Sequence, residues 1–171
     1  MSRVAKRIST LLRREDGGAL AELAILVPFL VLMLAAVSEV GRFFQNYTTL
    51  AKATRTASRY LSNHDINAIE IGRTRDLAYC GKLVCAEGDP PLVNGLKVEN
   101  ICIETTGSPK VTSVTVRIPR DSTPCNPVAG APAGTPYIFK PIFDIGALLD
   151  NSSISMALPI APSTTMYYMI N

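Results

Sequence analysis

The longest apolar pattern in the chain runs from Leu23 to Val37, fifteen residues without a charge, and it extends back to Ala19 if the single acid Glu22 is admitted. That approaches the ~20 residues a bilayer-spanning helix needs. A carboxylate at the edge of such a run is costly in lipid and points to a function or a partner. From Arg42 the pattern changes. Phe43, Tyr47, Leu50, Thr54, Ala57 and Leu61 recur at steps of three and four, while Lys52, Arg55 and Arg59 fall on another side. This spacing predicts an amphipathic helix that continues out of the apolar one and keeps its basic residues on a solvated face. A single helix over residues 18–61 is expected, with a transmembrane segment at about 19–38. Pro28 removes one backbone hydrogen bond and loosens or bends a turn, which membrane helices tolerate.

Beyond Leu61, Ser62-Asn63-His64-Asp65 reads as a helix stop, and a short helix from Ile66 to about Tyr79 comes next. Glu87-Gly88-Asp89-Pro90-Pro91 is a loop. Val98–Thr105 and Val111–Ile118 are expected to pair as strands, because Val114, Val116 and Ile118 alternate with Thr115 and Arg117 in the period of a half-buried sheet. The Pro- and Gly-rich residues 119–136 form an irregular loop. Tyr137–Phe143 is a third strand with Pro141 at an edge, Asp144–Leu149 a turn or short helix, and Ser153–Leu158 and Thr165–Ile170 two closing strands. The fold class is thus α+β: a long N-terminal helix packed on a small antiparallel sheet. Residues 1–17 form a leader and 62–171 an α+β domain.

Charge fixes the orientation. The chain carries a net +3, yet residues 1–17 hold five bases against two acids, which accounts for the whole excess. A basic leader ahead of an apolar segment stays cytoplasmic, and the chain beyond that segment is exported. All four cysteines, Cys80, Cys85, Cys102 and Cys125, lie on the exported side. In an oxidising compartment an even count favours two disulfides, and the spacing is not that of a zinc ribbon. Of three connectivities, Cys80–Cys85 with Cys102–Cys125 is favoured. The first closes a tight turn after the short helix, and the second fastens the Pro-rich loop to a strand.

No catalytic constellation is visible: there is one histidine, His64, beside a helix stop, no Gly-x-Ser-x-Gly and no phosphate loop. No cofactor or metal is expected. No basic and aromatic cluster suggests nucleic acid. Asn46-Tyr47-Thr48 and Asn151-Ser152-Ser153 match a glycosylation acceptor, a pattern common by chance.

The run Gly17-Gly18-Ala19-Leu20-Ala21-Glu22, then LAILVPFLVLMLAAVSEVGRFF and ATRTASRY, resembles the TadE-like pseudopilins, minor components of tight-adherence pili in the type IV class. The family pattern is a small-residue cleavage site, an early Glu and Pro, a Glu and Gly-Arg closing the apolar run, and an Ala/Arg-rich helix. Here those positions are Gly17 and Gly18, Glu22, Pro28, Glu39, Gly41 and Arg42, and Ala53 to Arg59. The resemblance covers residues 16–63, and further on only the Ser163–Met166 stretch in outline. It implies cleavage after Gly17 by a prepilin peptidase. Glu22 then stands fifth, where a pilin acid neutralises the N-terminal amine of a neighbouring subunit during assembly. It also implies a non-enzymatic protein of the bacterial inner membrane with a periplasmic C-terminal domain, whose partners are other pilins and pseudopilins and the pilus assembly platform. Two rivals are kept. One is a secreted binding module cut at Ala36-Val37-Ser38 as an ordinary signal peptide. The other is an uncut, single-span anchored domain.

Overall fold

The computed structural model describes residues 16–122, 125, 134–143 and 157–170. Helix α1 runs from Asp16 to Ser62 with Pro28 inside it. The chain divides into two compact units, one ending at Val40 and the other spanning Gly41–Asn171. In the first unit every described side chain from Gly18 to Leu34 is exposed, including Leu20, Ile25, Phe29 and Leu34. This stretch has the length and composition to cross a membrane. An apolar surface bare all round is what a helix presents when lipid or other helices are to cover it.

In the second unit α1 carries one buried stripe: Leu50, Ala53, Thr54, Ala57, Ser58, Leu61 and Ser62. Lys52, Arg55 and Arg59 are exposed, as the periodicity requires. Tyr47 departs from the expected stripe and is 43% exposed, while Phe43 is half-buried with its ring edge-on to Phe139 at 5.5 Å. The buried hydroxyls incur no desolvation penalty left uncompensated, because each bonds within the helix. Ser58 Oγ donates to the Thr54 carbonyl at 2.6 Å and Ser62 Oγ to that of Arg59 at 2.9 Å.

Helix α2 spans Ala68–Tyr79. It starts two residues later than Ile66 because Asn67 caps it, its side chain accepting from Glu70 N at 2.9 Å. Ile66 packs on the core instead. Strands β1 (Cys102–Thr106), β2 (Ser113–Arg117) and β3 (Ser163–Tyr167) form an antiparallel sheet in the order β1-β2-β3. Cys102 pairs with Arg117, and Thr115 with Thr165. β2 shows the expected alternation, with Val114 and Val116 fully buried and Thr115 and Arg117 on the other face. The β1–β2 turn passes through Gly107 at φ +113°, where a Cβ would strike the backbone of Lys110 and Thr112.

Three strand expectations are corrected. Val98–Asn100 is a 3₁₀ turn rather than the start of β1. Its Asn100 is drawn inward, Oδ1 accepting from Lys97 N at 2.6 Å and Nδ2 donating to the Thr135 carbonyl at 3.0 Å. Tyr137–Phe143 is not a strand; it makes one isolated antiparallel bridge, Ile138 to Pro159. Phe139 N donates to the Leu158 carbonyl and Ile160 N to that of Tyr137, both at 2.9 Å. Prolines at 136, 141, 159 and 162 have no N–H with which to extend that ladder. The last strand lies at Ser163–Tyr167 instead of Thr165–Ile170. After it, Tyr168 N donates to the Thr112 carbonyl and Met169 N to that of Ser62, both at 2.9 Å. Asp144–Leu149 and most of Ser153–Leu158 lie outside the described residues.

Two apolar clusters fill the second unit. Ala57 and Leu61 of α1 meet Ile71 and Ala78 of α2 and Ile103, Val114 and Val116 of the sheet. Leu50 joins Val93, Leu96, Ile118, Tyr137, Phe139 and Ile160.

Candidate functional site

The residues expected to govern processing sit at the start of α1. The helix begins at Asp16 and therefore takes in both Gly17 and Gly18, rather than starting after them. Among the described residues nothing lies within 4 Å of where a Cβ on Gly18 would stand. Glu22 stands one turn further on and is exposed, with Leu26 four residues ahead. Glu39, at the far end of the apolar run, has the opposite environment: it is only 1% exposed and has an interaction partner. The two acids that frame the apolar run thus differ in environment, one exposed and one buried.

The four cysteines form Cys80–Cys85 and Cys102–Cys125, with Cα–Cα distances of 6.2 and 5.6 Å. Cys80 caps α2, its N–H donating to the Asp76 carbonyl at 2.8 Å, and Cys85 N reaches the Asp76 carboxylate at 3.3 Å. Within the same loop Asp89 accepts from Lys82 Nζ and from Ala86 N, both at 2.8 Å. These donors, the lysine first, hold the Asp89 carboxyl below its ordinary pKa. The second bridge is buried, Cys102 fully and Cys125 nearly so. Gly134 lies against it, and a Cβ there would run into both sulfurs. With every thiol oxidised, no cysteine is available to a metal.

A polar cluster joins the end of α1 to α2. Tyr60 Oη donates to Glu70 Oε2 at 2.6 Å, and Arg73 donates to Glu70 Oε1 at 2.7 Å. The His64 ring stacks on Tyr60 at 4.0 Å, and its Nδ1 lies 2.8 Å from the Tyr60 carbonyl. A carbonyl can only accept, which places the proton on Nδ1. Tyr168 Oη donates to the His64 carbonyl at 3.3 Å. The Tyr60 hydroxyl, then Arg73, lower the Glu70 pKa, while the same hydrogen bond raises that of Tyr60. Sequence reasoning sets His64 beside a helix stop; the residue is half-buried there and its ring is stacked on Tyr60. A Tyr and a His four apart at a helix end, with an acid further on, were the available signal. The geometry of this cluster is that of a fastener between two helices.

Residues 17–59 match the family model of TadE-like protein. No curated protein and no solved structure matches the chain. The match coincides with α1, bare half and packed half together. It associates the chain with tight-adherence pili, whose TadE-like components are structural rather than enzymatic, and it fits a membrane-anchored, pilin-like protein.

Proposed function

We propose that this TadE-like chain is a minor pseudopilin of a tight-adherence pilus, cut by a prepilin peptidase between Gly17 and Gly18 and required for pilus assembly and surface adhesion. One observation carries the reading: the family match falls on a helix that is bare over Gly18–Leu34 and becomes the core of a folded domain only after Gly41. A helix with those two halves can enter a bundle of like helices while its domain stays folded. Residues 1–17 keep the leader cytoplasmic and residues 62–171 stand in the periplasm, where two disulfides are stable. Cleavage after Gly17 removes the basic leader and leaves Glu22 fifth from a new amine. That carboxylate has no basic side chain three or four positions away in its own helix, and on this reading it pairs with the new N-terminal amine of a neighbouring subunit, as in the pilins the chain resembles.

N-terminal sequencing or intact mass of membrane-extracted protein tests this. A mature chain beginning at Gly18 is expected. A start at Glu39 would leave the second unit whole and turn the reading to a secreted module, and a start at Met1 or Ser2 to an uncut anchor.

A further inference from the structure

A cleft of about 370 Å³ opens in the second unit. Arg42 and Asn46, one turn apart on α1, border it on one side, with Asn94, Lys97 and Lys140 around it. Among the described residues lining it there are thus three cations, two carboxamides and no carboxylate. An adjoining hollow of about 330 Å³ shares Lys97 and Lys140 and adds the acid Glu99, and Glu39 precedes Arg42 by one helical turn. Three bases against two acids still leave the cleft positive. The fold sets the backbone positions from which the bases reach. The Arg42 guanidinium lies 5.7 Å over the Phe139 ring, and Lys97 N is bound by the Asn100 side chain. Lys140 comes directly after the bridge made by Phe139 N.

Large apolar side chains accompany these cations in water: Ile138, in the cleft wall, is 49% exposed, and Ile142 and Phe143, two and three residues after Lys140, are 68% and 59% exposed. A site for a soluble anion has no use for them. Bases among exposed aromatic and aliphatic residues are what a lipid headgroup layer selects, the bases meeting phosphates and the apolar groups entering the acyl boundary. The chain position agrees, on the reading of residues 19–38 as a membrane span. Arg42 lies beyond Val37, the end of the uncharged run, by about 7 Å of helix. That is roughly the depth of the headgroup region.

We infer that this cleft binds the phosphate headgroup of an anionic phospholipid in the leaflet from which the helix emerges. The test is native mass spectrometry of the full chain in detergent, titrated with phosphatidylglycerol or with phosphatidylcholine. Phosphatidylglycerol should be retained preferentially. Each base near an anionic leaflet is worth about fivefold, so K97Q/K140Q should lose about 25-fold in retention. K52Q/R55Q, which removes the same charge from the solvated face of α1, should retain lipid like the unaltered chain. Equal retention of the two lipids would overturn the inference, as would an unaffected K97Q/K140Q or an equal loss in K52Q/R55Q. Displacement of the lipid by inorganic phosphate at the same concentration would reassign the cleft to a soluble anion. Alkaline extraction of membranes reads the span separately. The unaltered chain and K97Q/K140Q should both stay in the pellet, and release of the unaltered chain would refute the span and this site with it.

Discussion

The two disulfides should differ in what they contribute, and the difference arises from loop length and burial. Cys102–Cys125 joins residues 23 apart and Cys80–Cys85 residues 5 apart. In the chain-entropy model these closures are worth about 3.4 and about 2.1 kcal/mol. Cys102 and Cys125 are also buried, so replacing them leaves a cavity costing about 1–2 kcal/mol more, whereas Cys80 and Cys85 are half-buried and their loop relaxes into water. Cys102→Ala/Cys125→Ala should therefore cost about 5 kcal/mol and Cys80→Ala/Cys85→Ala about 2. The measurement is urea unfolding of the full chain in detergent, monitored by near-UV circular dichroism of its tyrosines. At a slope of about 2 kcal/mol per molar urea the two midpoints should lie about 1.5 M apart. Graded reduction with trapping of thiols gives an independent order, Cys80 and Cys85 alkylating first. Equal midpoints, or Cys102 and Cys125 reacting first, would refute the argument from loop length and burial.

Three further outcomes are expected. Gly134→Ala drives a Cβ into the Cys102 and Cys125 sulfurs and to 2.9 Å from Pro119, so the urea midpoint should fall by the equivalent of about 1–3 kcal/mol, and an unchanged midpoint would show that the loop yields freely. Tyr60→Phe removes the leading cause of the lowered Glu70 pKa, so its carboxyl resonance should titrate closer to the ordinary value. A lowered folded pKa contributes stability above the unfolded pKa that is lost as pH falls through the folded one, and this acid-side dependence should weaken in the variant. Glu22→Gln keeps the shape and removes the charge: processed, disulfide-bonded, membrane-inserted protein with sharply fewer pili is expected, and normal piliation would show the carboxylate to be merely interfacial.

The sequence made α1 legible because a 3.6-residue period sustained over many turns leaves little freedom, and β2 because Val114 and Val116 alternate cleanly with polar neighbours. It misled at Tyr47, where the apolar period continued although the side chain stays 43% exposed. It misled again at Val98–Asn100, where β-branched composition suggested a strand and a distant partner, Thr135, decided the backbone through Asn100. At Tyr137–Phe143 an aromatic run lost its ladder to prolines on both sides of the bridge. The cationic cleft was invisible for a related reason. Arg42, Lys97 and Lys140 are far apart in the chain, and only the packing of Phe139 and the 3₁₀ turn brings them to one place.

Among the described strands, the sheet is completed by the one synthesised last. β2 is flanked by β1, its immediate predecessor, and by β3, for which it must wait through all the intervening chain. Until then the final stitches, from Tyr168 to Thr112 and from Met169 to Ser62, cannot be made, and the Tyr168 ring cannot pack on the cluster that holds Leu61 and Ala57. Pairings so distant in sequence form slowly. The newborn domain therefore passes through a stage in which one edge of β2 presents unpaired N–H and C=O groups, when pairing with a sister chain competes with self-closure.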